Sequence, residues 1–292
     1  MPDYKAHLPT LILNTSSFPF RKFFALSTAV VLVFLMLPVP QAQAGAEPPS
    51  PWLHADIGSV GLTGTSSYSG GVFTVTGAGG DIFGSADAFQ YTYQTLTGDG
   101  SIIARFTSFD GVHANSKTGI MMRETLTANS AHALLNTRPS NTGLEFATRP
   151  TTGGSGAQVA GGTATTPQYM KLTRIGNTFS AYTSANGTSW TQIGTTQTIS
   201  MASTIYVGMD TCSHNTSALK SGTFDNVSVV PNSAPTVSLT APSSSSYTAG
   251  DDMTLSATAS DSDGTIQYVD FFSDNRLIKR DADGVGSDHS QI

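Results

Sequence analysis

Four kinds of side chain in this sequence have the chemistry to bind or cleave a ligand: carboxylates, imidazoles, one thiol and a scatter of aromatic rings. Between residues 52 and 230 the only glutamates are Glu124 and Glu145. Hydrolysis of a glycosidic bond needs two carboxyls, about 5 Å apart for retention and about 6.5–9.5 Å apart for inversion. Neither glutamate has an acidic neighbour in sequence, so a hydrolase would need them to meet across strands. No Gly-x-Ser-x-Gly elbow and no His-Glu-x-x-His pair occurs. His54, His113, His132 and His214 lack metal-ligand spacing and read as loop or strand residues. Cys212 is the single cysteine, so no internal disulfide can form. It reads as a small buried apolar residue. The only base near it in sequence is His214, two positions on and on the same face of a strand.

Arg123-Glu124 poses a sharper question. Adjacent strand residues point to opposite faces, so one of the two must face inward or line a sheet surface. One reading pairs the charge across the sheet with Arg105, Arg149 or His132. The other makes one sheet face a sugar groove, with Tyr91 or Trp190 stacking on a ring and Arg123, Glu124, His132 and Arg149 fixing its hydroxyls. Trp190 also reads as a core or rim anchor after a hairpin turn. Asp87 reads either as a turn seal or as a ligand group for a sugar or Ca²⁺. Asp261-Ser262-Asp263-Gly264 offers oxygens at alternate positions, as calcium loops do, but it is short and an Asp-Gly turn accounts for it. No cofactor is therefore expected, with Ca²⁺ left open.

The elements that must position these groups are strands. Gly71–Gly77, Phe89–Tyr93, Ser101–Phe106, Gly119–Glu124, His132–Asn136 and Gly143–Arg149 are short segments set off by Gly, Asn and Asp. In Phe89-Gln90-Tyr91-Thr92-Tyr93, three rings fall on one face. Residues 151–166 are rich in Gly, Thr and Ala and read as a hairpin tip or loop. Tyr169–Arg174 and Thr178–Thr183 flank an Ile-Gly-Asn turn, and Asn186-Gly187 is a strong hairpin signal before Ser189–Gly194. Ile205–Met209 and Gly222–Val229 follow. After the Pro231–Pro235 linker, Thr236–Leu239, Thr254–Ala259 and Ile266–Phe272 alternate again, about half the strands of an immunoglobulin-like sandwich.

The 292 residues allow one or two domains, and only 12% are charged. Net charge is -6 with no basic stripe, which argues against nucleic acid as a partner. Arg21 and Lys22 precede the apolar run Phe23–Leu37, Pro38 and Pro40 follow, and Ala42-Gln43-Ala44 closes the segment. These are the parts of a secretory leader, expected to be cleaved after Ala44. The apolar run is short of the ~20 residues that span a bilayer, so no membrane association is expected after cleavage.

The pieces Asp81–Phe89, Thr118–Glu124, Leu172–Phe179, Ser184–Trp190 and Phe224–Val227 occur in an order that resembles the secreted bacterial concanavalin-like (laminin-G-like) jelly-roll domains. Asn232–Ile278, with its Ala259–Gly264 turn, resembles bacterial immunoglobulin-like repeats. The resemblance implies an all-β chain with a jelly-roll sandwich over 52–230 and a partial Ig-like sandwich over 236–280; the residues themselves add a signal helix over 1–44, a Pro-rich leader over 45–51, a linker over 231–235 and a polar tail over 281–292. It also implies a carbohydrate-facing role. Glucanases of this superfamily carry a Glu-x-Asp-x-x-Glu set on one strand, and this chain has none. The expectation is a secreted or cell-surface, non-catalytic carbohydrate-binding or adhesion module, accessory to a carbohydrate-active protein, with polysaccharide or cell-surface glycan as its partner. A ligand-free spacer and an unorthodox hydrolase are the alternatives.

Overall fold

The computed structural model describes residues 45–139, 143–242, 254–262, 266–282 and 288–291. The expected leader and its cleavage site, and Asp263 of the proposed calcium turn, lie outside the described residues. Among the described residues there is no α-helix, and no helix long and apolar enough to cross a membrane.

The fold is an all-β sandwich of two seven-stranded antiparallel sheets. The first sheet runs β1 (Leu53–Ile57), β6 (Phe89–Thr97), β15 (Thr204–Cys212), β8 (Lys117–Arg123), β9 (His132–Thr137), β10 (Leu144–Arg149) and β11 (Ala157–Gly162). The second runs β14 (Thr191–Thr198), β13 (Thr178–Ser184), β12 (Gln168–Ile175), β7 (Gly100–Phe109), β16 (Asn215–Pro231), β3 (Val72–Gly79) and β2 (Thr65–Ser69). Neighbours such as β6–β15 and β7–β16 are far apart in sequence, as jelly-roll crossovers require. Strand β11 falls inside the segment read as a loop. Its side chains bury little, and its place is fixed by backbone pairing to β10.

The two sheets differ in how they are covered. Their facing sides share one core, which includes Ile102, Ala104, Ile120, Leu135, Phe146, Leu172, Phe179, Val207 and Phe224. The first sheet carries a second apolar layer on its outer side, formed by Phe89, Tyr91, Tyr93, Met121, Leu134, Ala147 and Cys212. A small hairpin, β4 (Ile82–Phe83) with β5 (Ala86–Asp87), and the turn after β8 roof this layer, inserting Ile82 and Leu126. Strands β8, β9 and β10 are consequently buried at every position. Strands β7 and β12 instead alternate buried with half-exposed residues, so the second sheet keeps one face in water.

Beyond the sandwich, β17 (Thr236–Ala241), β18 (Thr254–Ser260) and β21 (Asp288–Gln291) form one sheet, and β19 (Val269–Ser273) with β20 (Arg276–Asp281) another. Thr236–Leu239 and Thr254–Ala259 lie in strands, Ile266–Phe272 is strand only from Val269 onward, and β21 falls in the segment read as a polar tail.

Candidate functional site

Strand register brings most of the candidate residues together. Arg123, His132 and Arg149 occupy one rung across β8, β9 and β10, with Arg123 opposite His132 and His132 opposite Arg149. Asp87, at the end of the roofing hairpin, meets all three. Arg149 Nη2 and Nη1 donate to its two carboxyl oxygens at 2.5 and 2.8 Å. Arg123 Nη2 lies at 3.5 Å and His132 Nδ1 at 3.5 Å. Burial pushes the Asp87 carboxyl up, but hydrogen bonds with His132 and Arg149 and the charge of Arg123 outweigh it and hold the group below its usual range. Burial lowers His132, against the opposing pull of the Asp87 carboxylate.

None of these four side chains faces solvent: Arg123 and Arg149 are 0% exposed, His132 1% and Asp87 3%. Their remaining donors go to the roof. Arg123 donates to the Thr125 and Thr127 carbonyls, and Arg149 to those of Phe83, Gly84 and Ser130. The cluster ties the covering loops to the sheet. Tyr91 is equally enclosed: it stacks on Tyr93 at 5.3 Å and donates its hydroxyl to the Met121 carbonyl. In this structure these five residues form a closed keystone, and none presents a free group to a sugar. Glu124, at the end of the same strand, is half-buried and accepts the Ala202 backbone N–H.

A second buried layer lies two rungs along the same face and was not read from the sequence. Asn136 Nδ2 donates to Asp210 Oδ1 at 2.8 Å, while Asp210 Oδ2 and Asn136 Oδ1 have no protein partner. Gly119 makes the approach possible, since a Cβ there would collide with the Leu135 carbonyl and the Asn136 amide oxygen. Burial raises the Asp210 carboxyl to about 7. Glu145, 1% exposed, is held by Arg138 at 2.7 Å and lies 3.7 Å from Lys117, which pairs with Asp81. Cys212 is buried, and burial pushes its thiol up to about 12, far from thiolate chemistry at neutral pH. Its neighbour His214 leaves the strand with a φ of 55° and stacks on His113 at 4.2 Å.

The open groups lie on the outer face of the second sheet. Asp225, Arg105 and Tyr169 form one rung across β16, β7 and β12. Arg105 pairs with Asp225 through two hydrogen bonds, and its guanidinium lies 5.8 Å from the Tyr169 ring centre. In the next rung Ile103, Lys171 and Tyr182 stand side by side. Lys171 Nζ lies 4.8 Å from the Tyr182 ring centre and 4.3 Å from that of Trp190, which precedes β14. A cavity of about 320 Å³ adjoins this rung, lined by Ser101, Ile103, Lys171, Thr173, Val230 and Asn232 among others. Of the residues expected to form a sugar groove, only Trp190 belongs here. Tyr169, Lys171 and Tyr182 were missed as site residues, although Tyr169-Met170-Lys171-Leu172-Thr173 alternates plainly enough to put Tyr169 and Lys171 on one face. Among the described residues no group of three or more His, Cys, Asp or Glu side chains is placed to hold a metal ion.

Residues 235–289 match the bacterial Ig domain family. That span holds β17 to β20, and it fits the Ig-like resemblance of the C-terminal segment. No curated protein matches the chain. Among solved structures, the chain is similar to a functionally unknown protein from Saccharomyces cerevisiae, at 12% identity and TM-score 0.49 over 63% of this chain and 96% of that one. It is also similar to carbohydrate-binding module CBM66 from Bacillus subtilis, at 15% identity and TM-score 0.41 over 64% and 99% of the two chains. A third is the exoplasmic/lumenal domain of VIP36 in its Ca²⁺/Man3GlcNAc-bound form, at 11% identity and TM-score 0.42 over 63% and 84%.

Proposed function

We propose that this chain is an exported, non-catalytic module that binds polysaccharide or cell-surface glycan through the outer face of its second sheet. The observation that carries the reading is the surface itself. Tyr169, Tyr182 and Trp190 stand half-exposed on one open sheet face beside charged and hydroxyl side chains, while the outer face of the other sheet is roofed. An aromatic ring offers a flat apolar wall to the C–H face of a pyranose, and neighbouring polar groups set its orientation. The non-catalytic part rests on the carboxylates. Glu145 is enclosed and ion-paired, Glu124 is bonded to backbone, and Asp225 is held by Arg105. Export rests on the sequence of the leader.

The test is retention of the full chain on immobilised polysaccharides, followed by titration against those that hold it. Trp190→Ala and Tyr182→Ala should each weaken binding about tenfold, the loss of one stacking wall being worth about 1.4 kcal/mol. Their melting temperatures should stay near the parent's. Absence of binding to every polysaccharide tried sinks the reading. The roofed face of the first sheet favours a second reading, a ligand-free spacer, and that result would leave it standing.

A further inference from the structure

Lys171 is set apart from the other basic side chains of the sandwich. Arg105 pairs with Asp225, Lys117 with Asp81, Arg138 with Glu145, and Arg123 and Arg149 with Asp87. Arg174 gives its guanidinium to the carbonyls of Gly176, Met201 and Ser203. Lys171 and Lys220 have no ion pair or side-chain hydrogen bond among the described residues, and only Lys171 is placed between aromatic rings. Burial alone lowers the Lys171 ammonium, with no acidic neighbour to offset it. The flanking rings recover part of that cost through their negative faces, yet they accept no hydrogen bond from the three N–H groups. A half-buried ammonium with unused donors, beside a cavity of about 320 Å³, lacks an anion.

We infer that the glycan this surface takes is acidic, a polyuronate whose sugar carboxylate docks on the Lys171 ammonium. The inference rests on the glycan-binding reading and names its ligand class. The chemistry fits at each point. A uronate carries its carboxylate directly on ring carbon C5, so a ring lying against Trp190 or Tyr182 holds that group beside the ammonium. One compact cation matches one carboxylate per sugar, as lysine acts as a point charge. Ser101, Thr173 and Asn232 line the adjoining cavity and supply hydroxyl and amide partners for ring hydroxyls. A volume near 320 Å³ is at the small end of ligand sites and suits one sugar unit at a time along a chain. Arg105, already neutralised by Asp225, adds little to the attraction, so the charge preference rests on one residue.

The experiment titrates the full chain with polygalacturonate, with neutral xylan and with dextran sulfate, each at low and at moderate salt. Polygalacturonate is expected to bind at least tenfold more tightly than xylan, and to weaken as salt rises. Lys171→Met should lose about tenfold on polygalacturonate and clearly less on xylan, while Lys171→Arg keeps most of the binding and both variants melt like the parent. Equal affinity for xylan and polygalacturonate, unmoved by Lys171→Met, overturns the inference and leaves glycan binding intact. A preference for dextran sulfate over polygalacturonate overturns it in favour of sulfated glycans. No binding to any of the three overturns the acidic-glycan inference, and Trp190→Ala on the wider polysaccharide set then decides the glycan-binding reading separately.

Discussion

At the scale of single residues, the largest consequence lies in the Asp87 keystone. Two guanidiniums and a carboxylate out of water are costly to assemble, but removing one partner costs more, because it strands a charge the fold cannot hydrate. Asp87→Asn should therefore destabilise the sandwich by about 3–5 kcal/mol, seen as a lower urea midpoint at unchanged slope. Arg149→Met should cost a similar amount. The double variant should cost less than the sum, since the two residues share one interaction. An Asp87→Asn variant as stable as the parent would show the carboxylate to be free for another role, and the ligand reading of Asp87, Arg123, His132 and Arg149 would return. Types and spacing alone could not separate these outcomes. An arginine that binds a sugar and one that pins a loop look alike until the roof over them is known, and that roof is built from strands two residues long.

At the scale of elements, the difference between the two sheets was written in the sequence more clearly than the sites were. Ile120-Met121-Met122 in β8 and Ala133-Leu134-Leu135 in β9 are unbroken apolar runs, and such a run marks a strand covered on both faces. Tyr169-Met170-Lys171-Leu172 in β12 alternates, which marks a strand with one wet face. A ligand surface belongs on the second kind of strand. The charged pair Arg123-Glu124 nevertheless drew attention to the strand ending in Arg123, which is of the first kind. Two features were out of reach for physical reasons. Strand β11 is fixed by backbone pairing that its Gly-rich side chains do not announce, and the Asp210–Asn136 contact depends on Gly119 one strand away. That contact gives a prediction at this scale. Gly119→Ala should push β9 from β8, lower the melting temperature by several degrees, and do so more than Gly80→Ala, whose Cβ would meet nothing within contact range.

At the scale of the whole molecule, the buried titratable groups pull stability in opposite directions with pH. His132 is lowered from its ordinary 6.5 by burial, so the unfolded chain takes up the proton first. Its contribution is present above about pH 6.5 and is lost as pH falls below that value. Asp87, held below 3.8, adds to the loss only under more acid conditions. Asp210 works the other way. Its carboxyl rises from 3.8 to about 7 in the fold, so between those values the native state binds the extra proton. Its contribution is complete below about pH 3.8 and is lost as pH rises through about 7. A proton on Oδ2 also turns one of the two unpartnered acceptors into a donor. Asp210→Asn copies that protonated shape permanently. The variant should gain about 2–4 kcal/mol over the parent at about pH 8 and little at about pH 4, three pK units being worth about 4 kcal/mol at most. Its stability should then rise from acid to neutral pH on the His132 limb alone, whereas the parent's profile is flattened by the opposing Asp210 limb. Urea unfolding across that range reads both curves. Parallel curves for parent and variant would mean that Asp210 stays ionised in the fold and that its free oxygen is satisfied in some other way.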